Sequence, residues 1–204
     1  MAGSPDLSLL TGDVLDVAPR LLGAHLSHDG VTIRLTEVEA YAGQEDPGSH
    51  AFRGPTARNR VMFGPAWFLY TYLIYGMHVC ANVVTGQPGT ASAVLLRAGE
   101  VVDGLDVARA RRPGVADREL ARGPARLCRT LGIGLEHGGA DLAAGPVLLR
   151  LRHSPVADVS TGPRVGLRQA ADHPWRYWVT GDATVSPYRP AAPLRRRPDR
   201  RPRG

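Results

Sequence analysis

The chain has 204 residues, 43% of them hydrophobic and 22% charged, a composition typical of a globular protein with one full core. All 25 basic residues are arginine, and the formal net charge is +6. Seven of these arginines but only one of the 19 acidic residues lie from Tyr188 onward, so the tail carries the whole excess. The rest of the chain therefore carries no net charge. The absence of lysine excludes Schiff-base chemistry through a lysine side chain.

We therefore predict one domain over residues 1–190 and a disordered Arg- and Pro-rich tail over 191–204. The apolar stretch before residue 14 is too short to form the hydrophobic region of a secretory signal. Cys80 and Cys128 lie far apart, without metal-like spacing, and are expected to be reduced core thiols. Reduced thiols are typical of a cytoplasmic protein, and we expect that compartment.

The first predicted element is a helix. Apolar residues over 14–22 recur at helical spacing, with Asp13 or Asp16 as the cap. A strand follows over 31–41, because its residues alternate in polarity. A loop over 43–55 comes next and carries His50.

Strict alternation in this strand would place six residues on one face. They are Val31, Ile33, Leu35, Glu37, Glu39 and Tyr41. An apolar face that ends in two carboxylates indicates a core strand that runs into a site. Two carboxylates two residues apart have Cα atoms about 6.5 to 7 Å apart, a separation that suits an acid and base at a glycosidic bond. The same pattern is also typical of a salt-bridged edge strand, so it does not decide between the two.

The stretch from Arg60 to Arg97 contains no formal charge between its ends. A membrane span is one interpretation, but glycine and proline interrupt the run and its residues are β-branched and aromatic. A hairpin over 67–84, with its turn near Gly76, explains the pattern better. Further strands are predicted over 91–98, 147–151 and 176–179, and helices over 105–111 and 125–131. This irregular mixture predicts an α+β fold, a single mixed domain.

From Pro47 to Gly99 the chain has no Asp or Glu, while it carries arginines and many aromatic rings. Cationic side chains with stacking rings and no acid suit a polyanion that has exposed bases. Each tyrosine taken alone is as well explained by core packing. Arg97 is different, since an arginine within an apolar strand requires a carboxylate or phosphate partner.

Together these motifs closely resemble the alkyladenine (3-methyladenine) DNA glycosylases. The resemblance covers about residues 8–188 and is carried by RLTEVEAY from Arg34, TARNR from Thr56 and YTYLIYGM from Tyr70. It continues in VLLRA from Val94, GPARLC from Gly123 and PRVG from Pro163. It implies a curved antiparallel β-sheet, surrounding helices and a protruding β-hairpin.

The resemblance also implies roles for individual residues. Glu39 matches the base that activates the attacking water, and Arg97 matches the arginine beside it. Tyr41, His50 and Tyr72 match residues that stack on the flipped base, and Asn82 matches one at the edge of the purine. Tyr75 matches the tyrosine that fills the gap in the duplex. Arg53, Arg58 and Arg60 are expected to contact DNA.

The implied activity is that of a monofunctional DNA glycosylase in base excision repair. It would flip alkylated purines out of double-stranded DNA and hydrolyse the N-glycosidic bond. The expected partner is double-stranded DNA that contains alkylated purines, and no membrane partner, metal or cofactor is expected. The protein is expected to be a monomer in a bacterial-type cytoplasm, associated with the nucleoid through its binding to DNA. Two positions, His78 and Arg126, depart from the family pattern. The alternatives are a non-catalytic nucleic-acid binder and a hydrolase of free nucleosides or sugars that uses Glu37 and Glu39.

Overall fold

The structure is a computed structural model that describes residues 7–192 of the chain. Eight antiparallel strands form one open sheet, in which six strands follow the order β3-β4-β5-β2-β1-β6 and β8 pairs with both β2 and β7. The strands are β1 (His25–His28), β2 (Val31–Tyr41), β3 (Leu69–Ile74), β4 (His78–Thr85), β5 (Ser92–Asp103), β6 (Leu148–Arg150), β7 (Val159–Gly162) and β8 (Arg176–Val179). The predicted α+β class is confirmed.

Three α-helices accompany the sheet: α1 (Val14–Val17), α2 (Leu105–Arg111) and α3 (Pro124–Leu131). Asp13 caps α1 by accepting a hydrogen bond from the backbone N–H of Leu15 at 2.8 Å. The predicted helix over 14–22 is shorter than expected, because Pro19 lies in a 3-10 helix, Ala18–Leu21, that follows α1. The predictions of α2 and α3 are confirmed, with Pro124 in the first turn of α3.

The predicted alternation along β2 is wrong beyond Leu35. Leu35 and Val38 both lie in the main hydrophobic cluster, although strict alternation would place them on opposite faces. A register irregularity against β5 between Leu35 and Val38 explains this offset by one residue. Such a β-bulge redirects the side chains that follow it. Glu37 and Glu39 therefore lie on the face opposite the apolar core.

The predicted hairpin over 67–84 is confirmed as β3 and β4, paired from Leu69↔Val83 to Ile74↔His78. Tyr75 and Gly76 in its turn both have positive φ angles, 54° and 71°. Two successive residues with positive φ are the mark of a type I′ turn, which suits the twist of a hairpin.

Other sequence predictions differ in extent. β5 continues to Asp103, beyond the predicted end at residue 98, and the sequence patterns did not reveal β1 or β7. No helix among residues 7–192 is long and apolar enough to cross a membrane. Both cysteines are buried and free. The predicted disordered tail over 191–204 lies almost wholly outside the described residues, and the structure does not test it.

Candidate active site

One cavity of about 470 Å³ gathers most of the residues that the sequence singled out. It opens between the hairpin, the loop that carries His50 and the segment around Val165. Eight of the ten predicted site residues line it: Glu39, Tyr41, His50, Arg58, Tyr72, Tyr75, Asn82 and Arg97. Arg53 and Arg60 are exposed and lie outside its lining.

Glu39 borders the cavity and is itself buried. Its Oε2 accepts a hydrogen bond from the Tyr41 hydroxyl at 2.9 Å, and its Oε1 accepts one from the backbone N–H of Val165 at 2.6 Å. Nη1 of Arg97 lies 3.3 Å from the same Oε1. A buried carboxylate is stable when its lone pairs are met in this way, and here the donors also fix its orientation toward the cavity.

Glu37, by contrast, does not line the cavity. Its Oε1 accepts hydrogen bonds from Nε of Arg97 at 2.8 Å and Nε of Arg176 at 2.7 Å, and its Oε2 accepts one from the backbone N–H of Ser186 at 2.7 Å. Burial works to raise the pKa of the Glu37 carboxyl, but the charges of Arg97 and Arg176 outweigh it and leave the pKa below its usual value. Glu37 is an ionised structural group.

Arg97 pairs with both carboxylates, and these are the partners that an arginine within an apolar strand requires. Burial would lower its pKa, but Glu39 and Glu37 raise the pKa above the ordinary arginine value. Its Nη2 also donates to Oγ of Ser186 at 3.3 Å. The guanidinium thus holds two buried negative charges a fixed distance apart.

A second buried ion pair supports the cavity from behind, and the sequence reading gave its members no role. Nη2 of Arg164 donates to Oδ1 of Asp46 at 2.8 Å, and Nη1 donates to the carbonyl of Ala40 at 2.9 Å. The guanidinium lies 4.6 Å from the ring centroid of Tyr41 and 4.9 Å from that of Trp175. Because Val165 is the next residue, this pair sets the position of the N–H that reaches Glu39. Arg164 stands within the matched PRVG motif, but no local pattern identified Asp46 as its partner.

Three rings form one side of the cavity. The His50 ring packs edge-on against Tyr72, with centroids 4.5 Å apart, and its Nδ1 lies 3.2 Å from the Tyr70 hydroxyl. The Tyr70 and Tyr72 rings are 5.6 Å apart and tilted by 31°. Partial desolvation and then the charge of Arg58 lower the pKa of His50, so its imidazole is neutral at pH 7. Tyr41 also lines the cavity, so aromatic rings from two segments of the chain surround this space.

Asn82 is buried and pairs in register with Tyr70 of β3 and Leu95 of β5. Its Nδ2 donates to the Tyr70 carbonyl at 3.1 Å. This bond assigns the amide orientation, because the nitrogen faces the strand. The side chain is therefore a fixed polar group within an otherwise ring-lined wall.

The hairpin tip is the most exposed aromatic position of the described chain. Tyr75 is 86% exposed, and its neighbour Met77 is 71% exposed. Large apolar side chains at a strained turn gain nothing from packing in the free protein, and such positions are typical of binding surfaces. The tip stands beside the cavity mouth, since Tyr75 is one of the lining residues.

Basic groups surround the cavity on two sides. Arg58 lines it, while Arg53 and Arg60 are exposed in the same segment. A second cavity, of about 260 Å³, adjoins the first and shares Arg97 and Val165 with it. Its charged lining consists of Arg97, Glu119, Arg122, Arg126 and Arg189. Both neighbouring cavities thus carry an excess of arginine.

Among residues 7–192 no group of three or more His, Cys, Asp or Glu side chains is placed to hold a metal ion. A ring-lined cavity with one buried, oriented carboxylate, set in an α+β domain, is the arrangement of an enzyme's active site.

The family is shown by comparison with known proteins. A family model described as methylpurine-DNA glycosylase (MPG) matches residues 8–183, and the chain belongs to this family. Relatives from Leifsonia xyli, Nocardia farcinica and Streptomyces avermitilis are 55%, 53% and 50% identical. The alignments cover 86%, 90% and 97% of this chain and 88%, 92% and 100% of the relatives. Each relative carries the name "Putative 3-methyladenine DNA glycosylase".

Membership of this family makes the chain a DNA glycosylase of repair, with DNA as its substrate. The resemblance drawn from the sequence motifs is confirmed at the level of the family.

Proposed function

We propose that this chain is a monofunctional DNA glycosylase that flips alkylated purines, of the 3-methyladenine and 7-methylguanine class, out of double-stranded DNA. It hydrolyses the N-glycosidic bond with a water activated by Glu39 and leaves an abasic site. The observation that carries this proposal is the unequal setting of the two carboxylates. Glu39 borders the cavity in a fixed orientation, whereas Glu37 lies outside the cavity lining and forms ion pairs with two arginines.

The chemistry follows from that setting. A purine alkylated at N3 or N7 is cationic, so its bond to C1′ is already weakened and the departing base takes the bonding pair and becomes neutral. Water forms the new bond to C1′, and Glu39 takes its proton as general base. The same negative charge stabilises the oxocarbenium-like sugar. Arg97, Tyr41 and Val165 hold the carboxylate in place for both tasks.

The rings select and hold the flipped base. Tyr41 and Tyr72 offer stacking faces, with His50 beside them and edge-on to Tyr72. A cationic purine gains about 0.5 to 2 kcal/mol from such rings over a neutral one. A neutral His50 suits this role, because a charged imidazole would repel the cation. Asn82 provides a fixed polar group that can discriminate at the purine edge by its hydrogen-bonding pattern.

The hairpin and the arginines engage the duplex. Tyr75 enters the stack and fills the space that the flipped nucleotide leaves, which accounts for an exposed tyrosine with positive φ at the hairpin turn. Extraction of the base costs a few kcal/mol and is easiest at a damaged pair. Arg53, Arg58 and Arg60 contact phosphates on the cavity side.

The absence of lysine supports the monofunctional reading. A glycosylase that also cuts the strand forms an imine, most often through a lysine amine. The chain offers only its N-terminal amine for this. Base release should therefore leave the abasic site uncut.

The test is incubation of the purified protein with N-methylated duplex DNA, followed by chromatographic identification of the released bases. Free 3-methyladenine and 7-methylguanine, with intact strands until alkali is added, are the expected products. Release of normal bases only, or binding without release, contradicts the proposal. Free nucleosides in place of duplex serve as the control, and cleavage of these alone would indicate a nucleoside hydrolase.

A further inference from the structure

Arg58 occupies an unusual place for a residue that serves only to contact phosphate. Its guanidinium lies 5.2 Å from the centroid of the Tyr72 ring, within the range of a cation–π contact. Its Nη2 donates to the Leu73 carbonyl at 3.0 Å, which fixes it over the hairpin. Arg58 also lines the same cavity as Tyr41 and Asn82. A planar cation therefore rests on one of the rings that the proposed function assigns to the flipped base.

The electrostatic surroundings of this guanidinium leave its charge uncompensated. Among residues 7–192 it contacts the Tyr72 ring, the Leu73 carbonyl and the Tyr70 hydroxyl, and no carboxylate pairs with it. Glu39 is the one carboxylate in the lining of this cavity, and it pairs with Arg97. The charge of Arg58 also works to lower the pKa of both His50 and Tyr70, which places its field at the rings.

We propose that Arg58 is a specificity-determining residue that reads the charge of the flipped base. This inference rests on the proposed function. A cationic base and the Arg58 guanidinium compete for the same electron-rich ring, and their positive charges repel each other. A neutral base is not repelled and competes with the guanidinium only for room beside the ring. Arg58 thus reduces the preference for cationic purines and makes the cavity more tolerant of neutral ones.

Two duplexes that differ only in the charge of one base provide the test. One contains 7-methylguanine on a 2′-fluoro sugar, which slows cleavage, and the other contains 7-methyl-7-deazaguanine on the same sugar, which has the same shape and no charge. The dissociation constants of both are measured for wild type, Arg58→Ala, Arg58→Gln and Arg58→Lys. The preference for the cation over the neutral base should rise about two- to fivefold in Arg58→Ala and Arg58→Gln, the size of one exposed cation–π contact.

The lysine variant and a neighbouring arginine provide the controls. Arg58→Lys keeps the charge and should keep the wild-type preference, so an equal rise in this variant overturns the role of charge. Arg60→Ala removes an exposed arginine of the same segment that does not line the cavity, and it should weaken both duplexes by the same factor. If Arg58→Ala also weakens both equally, Arg58 is a phosphate contact only and the inference fails.

The outcome is separable from that of the proposed function. Release of methylated bases by the wild-type protein tests the glycosylase activity alone, without any variant. An active wild type with an unchanged preference in the Arg58 variants would overturn only this inference.

Discussion

Nε of Arg97 donates a hydrogen bond to Oε1 of Glu37 across 2.8 Å, and both side chains are almost fully buried. This pairing distinguishes two carboxylates that their spacing in the sequence left equivalent. It also fixes the guanidinium whose Nη1 reaches Glu39. The stability of the site and its chemistry therefore depend on different members of one network.

Glu37→Gln should destabilise the fold. It leaves Arg97 and Arg176 without a shared partner in the interior, at a cost of about 3 kcal/mol at neutral pH. The folded pKa of Glu37 lies below the usual 4.5, so its contribution is complete above that pH and is lost as the pH falls through the lower folded value.

Urea unfolding of both proteins between pH 7 and pH 3 measures this. The gap in unfolding free energy between wild type and Glu37→Gln should narrow below about pH 4.5. Glu45→Gln, an exposed carboxylate of the loop after β2, is the control and should show no such gap. A gap that is constant with pH would mean that the ionised form of Glu37 does not carry the effect.

Arg164→Met should reduce both stability and rate. The substitution leaves Asp46 as an unpaired buried charge and releases Val165, whose N–H holds Glu39. Loss of one hydrogen bond to a charged group lowers base release about tenfold to a hundredfold. Single-turnover rates well below the melting temperature separate this from unfolding.

A double mutant sharpens that prediction. Asp46→Asn combined with Arg164→Met removes both charges and should recover part of the stability, since the two residues are coupled. Arg168→Met, at an exposed arginine nearby, is the matched control. A full rate in Arg164→Met would show that the ion pair does not position the carboxylate.

Tyr75→Ala should weaken base flipping and leave the fold intact. The ring is exposed, so its removal loses no core packing, while a ring in the stack is worth about 1 to 3 kcal/mol. A fluorescent base analogue beside the lesion reports the flipped fraction, and thermal melting reports the fold. Met77→Ala removes the other exposed large apolar side chain of the tip and should have the smaller effect. An unchanged flipped fraction would rule out this role.

The tail should supply nonspecific attraction to DNA. Deletion of residues 191–204 removes six arginines, and each phosphate that they neutralise contributes a slope of about −0.9 in log affinity against log salt. The slope for undamaged duplex should flatten by several units, while base release at saturating enzyme stays the same. Identical slopes with and without the tail would indicate that the tail does not contact phosphates and that Arg53, Arg58 and Arg60 supply the attraction to DNA.

The sequence predicted most elements because their local signals agreed with the fold. The strand over 31–41, the hairpin and α2 each have strong periodicity or turn chemistry. The offset at Leu35 could not be predicted, because a β-bulge depends on pairing with β5 and leaves no local signal. The short β1 and β7 are similar cases, since four residues carry too little periodicity.

The candidate site shows the same division. Motifs predicted the residues that line the cavity, but spacing alone could not decide between Glu37 and Glu39. That decision needs Arg176 and Ser186, which lie about 140 and 150 positions away in the chain and meet Glu37 only in the folded state. Asp46 and Arg164 likewise form a pair across the fold that no local pattern announces.

The most direct test of the account is the single-turnover rate of base release by Glu39→Gln on duplex DNA that contains 7-methylguanine. Loss of the general base should lower the rate about 10² to 10⁴-fold, while lesion binding and thermal stability stay close to wild type. Glu45→Gln, the exposed carboxylate nearby, should keep the wild-type rate. Base release by Glu39→Gln within a few fold of wild type would contradict the assignment of Glu39 as the group that activates water.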